Sequence, residues 1–315
     1  MISWVIGSGG LLGAALCRAL RRNGEELFLP DERFCWGDEE ALAAQVSATV
    51  GKFALRVQAA DQWQIYWAAG VGTMSSSAEA LGPEARALTH VLQTLESHPR
   101  LMSRPGAIAF ASSAGAIYAE SSDELITEHS KPTPTTAYAR AKLLQEDLLS
   151  SFVKRNRSTT ALIARISTLY GSGQATEKKQ GLLTHMARCI LRNQPIQIYV
   201  PFDTIRDYIA SDDAAAAMLS ALAGIAESQQ AVIRIVASER PTTIAEIVSI
   251  FKRIARRGPR IVTSANRLSG LYTRRVQFRS MAVQPNANLP AVSLAVGIAQ
   301  LMLQERVNLA RGGSH

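Results

Sequence analysis

The opening of the chain places a glycine-rich turn between two apolar segments, and this feature limits the fold more than any other. The segment reads MISWVIGSGGLLGAALCRAL. Its first apolar run ends at Ile6, and apolar residues then recur at helical spacing from Leu11 to Leu20. This order predicts a β-strand, a tight turn and an α-helix.

The glycines of this turn have the spacing of a pyrophosphate-binding loop. Gly7, Gly10 and Gly13 fit G-x-x-G-x-x-G, whereas Leu12 stands where G-x-G-x-x-G requires its last glycine. Because glycine has no Cβ, the backbone can turn sharply and approach a pyrophosphate at the positive end of the following helix. The turn therefore predicts a dinucleotide site. A turn that uses glycine for its geometry alone is the alternative.

A second predicted strand, residues 26–29, is followed by two charged side chains that bear on the choice of dinucleotide. Asp31 stands at the end of this strand, where a carboxylate can accept hydrogen bonds from ribose hydroxyls. Arg33 could instead pair with a 2′-phosphate. We expect NAD because the acidic residue is nearer to the strand, and NADP is the alternative.

The middle of the chain alternates predicted helices and strands. Helical patterns cover residues 38–60 and 83–96, and the segment WQIYWAAG (63–70) predicts a buried strand that runs into small residues. A strand also begins GAIAFASSAGAIYA (106–119), with Ser112 and Ser113 at its carboxyl end. Ligands collect at the carboxyl ends of strands in open parallel sheets, although paired serines are also common in ordinary turns.

The segment TTAYARAK (135–142) sets a phenol and an ammonium four residues apart. Tyr138 and Lys142 share one face of the predicted helix. An ammonium beside a phenol favours the phenolate and lowers the pKa of the phenol, so Tyr138 is a candidate acid/base for an alcohol proton. The alternative is a surface tyrosine beside a solvated lysine.

These motifs together resemble the extended short-chain dehydrogenase/reductase superfamily, in its NAD-dependent epimerase/dehydratase branch. The glycine turn, the acidic residue, the alanine-rich turn, the serine pair and YxxxK occur in the order of that branch. The resemblance continues through IARISTLYGSGQ (163–174), TIRDYIASDDAAAAM (204–218) and PAVSLAVGI (290–298).

The resemblance implies an α/β fold, with a doubly wound, mostly parallel Rossmann sheet and a smaller C-terminal substrate-binding lobe. Residues 1–172 would form the NAD(P)-binding domain, and strands near 205–210 and 231–237 would return to it. Residues 173–315 would supply most of the lobe. A homodimer that packs the YxxxK helix and a helix within 83–97 against a second subunit is also implied.

The resemblance also assigns roles to individual residues. Tyr138 would be the catalytic acid/base, Lys142 would lower its pKa and hold the nicotinamide ribose, and Ser113 would orient the reacting hydroxyl, with Ser112 as the second choice. The implied cofactor-binding residues are Gly7, Gly10, Leu11, Leu12, Gly13, Asp31, Arg33, Ala68, Ala69, Gly70, Tyr138, Lys142 and Ile166.

The resemblance implies less about the substrate and the reaction than about the cofactor. Ser113, Thr168, Arg206 and Arg279 are the implied substrate contacts, with Arg275 as an alternative second cation. Thr168 replaces the asparagine that nucleotide-sugar relatives usually carry, and Arg206 could instead pair with a nearby aspartate. The segment SSAGAIYA lacks the Asp-Glu pair of sugar dehydratases. A nucleotide-sugar 4-epimerase is therefore expected, a ketoreductase on a smaller carbonyl compound is the runner-up, and a non-catalytic dinucleotide-binding regulator is the alternative of another class.

The composition bears on which ligands and partners the protein can have and on where in the cell it is located. Three scattered cysteines and five histidines without metal-ligand spacing predict no disulfide framework and no metal. The net charge of +8 raises nucleic acid as a partner, but no nucleic-acid-binding motif accompanies it, so we expect none. The longest apolar runs are too short or too interrupted to span a bilayer, and no basic segment precedes the first apolar residues. We expect a cytoplasmic protein.

Overall fold

The computed structural model describes residues 1–171, 181–226, 228–256, 258–263, 275–282 and 291–312. The strands are β1 (Ile2–Ile6), β2 (Glu26–Phe28), β3 (Trp63–Trp67), β4 (Gly106–Ser113), β5 (Thr159–Ile166), β6 (Thr168–Tyr170), β7 (Ile196–Ile198), β8 (Ile205–Ala210), β9 (Ala231–Val236), β10 (Pro241–Thr243) and β11 (Ile261–Thr263). The helices are α1 (Leu11–Arg22), α2 (Glu39–Val57), α3 (Ala78–Glu96), α4 (Pro99–Met102), α5 (Ala114–Ile117), α6 (Ala137–Arg155), α7 (Leu182–Leu191), α8 (Ser211–Gly224), α9 (Ile244–Ala255) and α10 (Leu294–Gly312).

A six-stranded sheet in the order β2-β1-β3-β4-β5-β9 forms the centre of the molecule. All of its neighbouring strands run parallel. β1, β3 and β5 are buried along their whole length because helices cover both faces of the sheet. The predicted α/β class and mostly parallel sheet are confirmed.

Each face of this sheet has its own hydrophobic core. On one face, α1 and α8 cover side chains such as Val5, Tyr66 and Leu162. On the other face, α2, α3 and α6 cover the opposite set, which includes Trp4, Trp63 and Phe110. Successive side chains of a strand point to opposite faces. Both sets are apolar here, so the strands read as continuous apolar runs in the sequence.

The turn between β1 and α1 depends on two glycines. Gly7 has φ +90°, and a Cβ there would lie 2.5 Å from the backbone nitrogen of Ala69. A Cβ on Gly13 would lie 2.1 Å from the carbonyl oxygen of Gly7. Any side chain at either position would push α1 or the turn after β3 away from β1. Gly9, by contrast, has no heavy atom within 4 Å of its hypothetical Cβ.

The predicted helix at 83–96 begins earlier in the structure. α3 starts at Ala78, and the Ser77 side chain caps it by accepting a hydrogen bond from the backbone N–H of Ala80. Pro83 therefore lies inside the helix instead of at its first turn. Proline favours the first turn of a helix. Here the Ser77 side chain supplies an acceptor for a free N–H group at an earlier position, so the helix begins five residues before Pro83.

The rest of the described chain forms smaller sheets and a third core. β8 pairs with β6 and β10, and β7 pairs with β11. The third core lies among α7, α9 and α10. β9 joins the six-stranded sheet, whereas β8 pairs with β6, which follows β5 after a single residue. The return of residues 205–210 and 231–237 to the nucleotide-binding domain stays a prediction, and so does the division at 172/173.

None of the helices in the described residues is long and apolar enough to cross a membrane. Residues 172–174, at the end of the IARISTLYGSGQ segment, and Pro290, at the start of PAVSLAVGI, lie outside the described residues.

We predict that Gly13→Ala destabilises the protein by about 1–3 kcal/mol, because the new methyl group overlaps the carbonyl of Gly7. Gly9→Ala is the matched control in the same turn and should change the free energy of unfolding by less than about 0.5 kcal/mol. Urea denaturation followed by circular dichroism measures both variants. Equal stability of the two variants would contradict the close contact of α1 with the turn.

Candidate active site

The carboxyl ends of β3 and β4 and the first turn of α6 meet at one place. Thr136, two residues before Tyr138, caps α6 by accepting a hydrogen bond from the N–H of Ala139, so the helix begins at Ala137. The Tyr138 ring lies against the turn after β3, where a Cβ on Gly72 would be 3.3 Å from its Cδ2 atom. Tyr138 is half-buried.

The two serines at the end of β4 have different surroundings. The Ser113 side chain lies near Tyr138 and acts to lower the pKa of its phenol. Ser112 is buried and donates a hydrogen bond of 2.5 Å to the carboxylate of Glu146. Neighbouring residues of a strand point to opposite faces, so only one of the pair can face the phenol. The geometry favours Ser113 over Ser112 as the partner of Tyr138.

Lys142 lies one helical turn after Tyr138 and is buried. Its Nζ atom donates a hydrogen bond of 3.3 Å to the carbonyl oxygen of Ala111, and it lies 5.0 Å from the centre of the Phe110 ring. The same atom is 5.9 Å from the centre of the Tyr138 ring. Burial lowers the pKa of Lys142, and the charges of Glu84 and Glu146 oppose that change.

The pKa of Tyr138 differs from the sequence prediction. Burial raises it to about 12, the charge of Glu84 also acts to raise it, and the hydrogen bond with Ser113 acts to lower it. The expected lowering by Lys142 is not seen. One reason is that the Lys142 ammonium donates its hydrogen bond to the carbonyl of Ala111 and not to the phenol. The other is the charge of Glu84, which the sequence pattern did not indicate. At this raised pKa the Tyr138 phenol is protonated at physiological pH.

A buried ion pair lies behind these residues. Both carboxylate oxygens of Glu146 in α6 accept hydrogen bonds from Arg165 in β5, at 3.1 and 2.6 Å. Arg165 also donates a hydrogen bond of 2.5 Å to the hydroxyl of Tyr118. With Ser112, these side chains form a polar network that satisfies two buried charges. The network fixes α6 against β4 and β5.

The glycine turn and the small residues after β3 lie next to each other in the structure. Gly7 contacts Ala68 and Ala69 through its backbone, and the N–H of Gly10 donates to the carbonyl of Gly7 at 3.0 Å. Leu12 is buried in the core beneath the turn, whereas Leu11 is half-buried. Ile166 is the last residue of β5 and is buried.

The two predicted ribose-side residues lie in the loop after β2. The Asp31 side chain is 71% exposed and forms a 2.5 Å ion pair with Lys52 of α2. The side-chain amide of Gln45 donates a hydrogen bond to the carbonyl of Arg33 and accepts one from the N–H of Cys35, which fixes the loop to α2. Asp31 therefore has a basic partner before any ligand binds. Lys52 was not found by sequence reasoning because it lies 21 residues away.

The predicted substrate residues lie on adjoining segments of the lobe. Thr168 of β6 is paired in register with Tyr208 of β8, and Arg206 precedes Tyr208 by two residues. The segment at Arg275 pairs with the start of β8 at Ile205. Arg206 and Arg275 are thus carried by neighbouring segments.

The aspartates near Arg206 have partners of their own. Asp207 accepts hydrogen bonds from the hydroxyls of Ser167 and Ser238, and Asp212 forms an ion pair with Arg18. Arg206 itself donates to the carbonyl of Ile205 at 2.7 Å.

Arg279 is exposed and lies on a different segment from Arg206. Its N–H donates a hydrogen bond of 2.9 Å to the carbonyl of Ile126. The same stretch is fixed by Glu128, which accepts hydrogen bonds from Ile235, Ser280 and Met281. Arg279 therefore borders the loop between α5 and α6, whereas Arg275 borders β8.

Glu84 of α3 is a site residue that the sequence analysis missed. Its Oε1 atom accepts hydrogen bonds from the N–H groups of Val71 at 2.6 Å and Gly72 at 2.7 Å. In the sequence it is one charged residue in a helical pattern, 54 positions before Tyr138. Only the packing of α3 against α6 reveals that it faces the phenol.

We predict that Glu146→Ala destabilises the protein by about 3–5 kcal/mol, because Arg165 would remain as a buried charge without its carboxylate partner. Denaturant unfolding measures the loss. Glu96→Gln is the control in the exposed Glu96–Arg155 pair and should cost at most about 1 kcal/mol. Combining Glu146→Leu with Arg165→Met should recover most of the stability, and equal losses in both pairs would contradict a buried network.

Comparisons with known proteins point to one protein family. The family model described as "NAD dependent epimerase/dehydratase family" matches residues 4–235. Among curated proteins, dTDP-4-dehydro-6-deoxyglucose reductase from Escherichia coli is 32% identical over 115 residues, which is 36% of this chain and 36% of that protein. The matched region spans about a third of the length of the curated relatives.

Solved structures match over nearly the whole chain. UDP-glucose 4-epimerase from Thermus thermophilus, in complex with NAD, has a TM-score of 0.77 at 19% identity and covers 97% of this chain and 99% of its own. RMD from Pseudomonas aeruginosa, complexed with NADPH, has a TM-score of 0.76 at 18% identity, with the same coverage of 97% and 99%. At these identities the structural likeness shows the fold.

Proposed function

The chain belongs to the NAD dependent epimerase/dehydratase family of enzymes, and from that premise we propose that it oxidises a sugar hydroxyl by hydride transfer to a nicotinamide. The favoured reaction is 4-epimerisation of a nucleotide sugar. The observation that carries the proposal is the contact of Tyr138 with Ser113 at the carboxyl end of β4, with Lys142 one turn along α6. Ligands of open parallel sheets bind at this edge.

In the proposed mechanism each of these three side chains has a separate task. The Ser113 hydroxyl holds the substrate oxygen in line with Tyr138. Tyr138 takes the proton from the substrate alcohol as the phenolate and returns it to the ketone oxygen as the phenol, and the positive charge of Lys142 on the same helix face favours the phenolate. In an epimerase the ketone must rotate between these two proton transfers so that its other face meets the nicotinamide. The site must therefore keep the ketone bound.

The residues at the glycine turn fit a dinucleotide. Gly7 and Gly13 leave no side chain where the turn packs against the start of α1, and the N–H groups at this helix start would be available to a phosphate. Asp31 would accept hydrogen bonds from the adenosine ribose in exchange for Lys52. When bound, the nicotinamide accepts and returns the hydride. We propose NAD. NADP is the alternative because Arg33 and Lys52 are cations in or beside the loop after β2.

The substrate would be held by the lobe. We propose that Arg206, with Arg275 or Arg279, binds the diphosphate of the nucleotide sugar, since guanidinium groups match phosphate oxygens. Thr168 would contact the sugar or the nucleotide from β6. Arg206 and Arg275 lie on neighbouring segments, which supports a shared anion between them.

A ketoreductase is the second candidate within enzymes. The partial likeness to dTDP-4-dehydro-6-deoxyglucose reductase favours it, and so does the protonated state of Tyr138, because reduction of a ketone needs a proton donor. A non-catalytic dinucleotide-binding regulator would need the glycine turn but not the contact between Ser113 and Tyr138. That contact supports an enzyme over a regulator.

We also propose a homodimer in a cytoplasmic setting. On α6, Ala141, Leu144 and Leu148 share one face by their spacing, and Leu144 is 52% exposed. A second copy would cover this leucine by packing its own α3 and α6 against it. Sedimentation equilibrium of the purified chain tests the dimer, and a monomer at micromolar concentration would overturn it.

The first experiment identifies the cofactor that is released when the purified protein is denatured. Mass spectrometry of the released nucleotide should find NAD at near one equivalent if the enzyme recycles its hydride as an epimerase. No bound nucleotide, with NADPH binding preferred over NADH in titrations, would favour the ketoreductase. Binding of neither dinucleotide would overturn both enzyme proposals.

We predict that Tyr138→Phe lowers the turnover of UDP- or dTDP-hexoses by about 10²–10⁴-fold, because the proton donor is removed. Binding of the dinucleotide, measured by calorimetry, should stay within a few-fold of the wild type, since the glycine turn is unchanged. Tyr199→Phe is the matched control outside the site and should keep full turnover. Unchanged turnover in Tyr138→Phe would contradict the mechanism.

A further inference from the structure

An exposed tryptophan lies in the loop between β2 and α2. Trp36 is 42% exposed, whereas the other three tryptophans of the chain, Trp4, Trp63 and Trp67, are buried. A single apolar side chain at the surface is common in proteins. The surroundings of Trp36 therefore decide whether this ring serves a ligand.

The indole of Trp36 is held by two other rings. Its centroid lies 5.5 Å from that of Phe34 and 6.4 Å from that of Trp67, with interplanar angles of 84° and 83°. A ring that is nearly perpendicular to both of its neighbours is stacked on neither of them. Since Trp67 is the last residue of β3, the indole is fixed at the carboxyl end of that strand.

The backbone on either side of Trp36 is also fixed. The N–H of Cys35 donates a hydrogen bond of 2.8 Å to the side chain of Gln45 in α2. The Asp38 side chain caps α2 by accepting two backbone N–H groups of its first turn, both at 3.0 Å. The ring is thus ordered when the protein folds. A ligand that contacts a preformed ring does not have to supply the free energy of ordering it.

Trp36 adjoins the predicted dinucleotide site on two sides. Ala69 lies two residues after Trp67, and a Cβ on Gly7 would be 2.5 Å from its backbone nitrogen. Asp31, the predicted ribose contact, stands in the same loop as Trp36 and five residues before it. The adenine of a dinucleotide is bonded directly to the ribose that such an acidic residue holds. The base therefore lies beside this loop.

The space and the charges around Trp36 suit a flat, neutral ring. A Cβ on Gly37 would meet no heavy atom within 4 Å among the described residues, so there is open space beside the indole. Two nearby carboxylates already have basic partners, since Glu39 pairs with Arg86 of α3 and Asp31 pairs with a lysine of α2. The indole carries no charge and offers an aromatic face, which a purine ring can cover.

We propose that Trp36 is the stacking surface for the adenine ring of the bound dinucleotide. The proposal deepens the proposed function and rests on its dinucleotide site at the glycine turn. Trp36 binds the adenine half through ring contact and takes no part in the transfer of hydride or proton. Because the contact is made to the base and not to the ribose, it serves NAD and NADP alike.

The burial of the other tryptophans makes this contact measurable by fluorescence. Acrylamide dissolved in water reaches Trp36 more readily than the three buried indoles and quenches its emission. Trp36→Phe removes this signal and shows how much quenching the buried indoles contribute. ADP carries the adenine half of the dinucleotide, and nicotinamide mononucleotide carries the other half. Nucleotide that copurifies with the protein is removed first, and circular dichroism checks that the fold is kept.

Saturating ADP should remove most of the quenching that belongs to Trp36, and saturating NAD should do the same. Nicotinamide mononucleotide should leave the quenching unchanged, and equal protection by it would overturn the proposal. Binding of ADP or NAD in calorimetry without protection of Trp36 would also overturn it, while the dinucleotide site would stand. Binding of none of ADP, NAD and NADP would overturn both the site and the proposal.

The affinity for ADP is the second readout. Trp36→Ala should weaken ADP binding about 5- to 100-fold, the range expected for loss of a base stacked on an aromatic side chain. Trp36→Phe keeps a ring and should recover most of this loss. Phe202→Ala is the matched control, because Phe202 is an aromatic residue before β8 that is 38% exposed, and it should bind ADP like the wild type.

Unchanged ADP affinity in Trp36→Ala would overturn the proposal. Denaturant unfolding shows whether this variant is folded. If Trp36→Ala does not fold, the acrylamide measurement on the wild-type chain still decides, because it needs no substitution in the loop.

Discussion

A buried ion pair between Glu146 and Arg165 connects the helix of the site to the sheet beneath it. Arg165 belongs to β5, Glu146 belongs to α6, and the same carboxylate holds Ser112 of β4. Three elements are thus joined through one carboxylate in the interior. Two charges removed from water need several hydrogen bonds to be tolerated, and here those bonds also hold α6 against β4 and β5. The direction of Tyr138 depends on this arrangement.

Two carboxylates, Glu84 and Glu146, act on Lys142 but differ in their own partners. Glu146 is paired with the arginine of β5, whereas Glu84 accepts hydrogen bonds from backbone N–H groups of the turn after β3. Lys142 lies between them, and both raise its pKa against the effect of burial. The free site therefore combines an acid with a raised pKa and a lysine with a lowered one. Such opposed shifts are typical of sites that transfer protons.

The sequence predicted those features of the fold that depend on neighbouring residues. The glycine turn, the strands that end at Ile6 and Ser113, and the helix that carries Tyr138 and Lys142 all follow from local spacing. The predicted start of α3 was wrong because a serine cap outweighed proline. The pairing of β8 with β6 could not be predicted from local spacing, because strand pairing depends on which edges remain free.

The sequence indicated candidate site residues but not the electrostatics around them. The choice between Ser112 and Ser113 depends on a carboxylate more than 30 residues away, and Lys52 and Glu84 reach their partners only through tertiary packing. The spacing of Tyr138 and Lys142 suggested a lowered pKa, yet the sign of a pKa shift is decided by burial and by every charge nearby. A local sequence pattern does not contain the combined effect of burial and of distant charges on the pKa.

The edges of the central sheet determine how copies of this protein can meet. β2 is one edge, and it has only three residues, one of which, Glu26, forms an ion pair with Arg56 of α2. β9 is the other edge and carries Arg234 within the strand. Short edge strands and charged residues are poor templates for strand addition between molecules. The sheet is therefore protected against growth into aggregates, and contacts between copies are left to the helical surfaces.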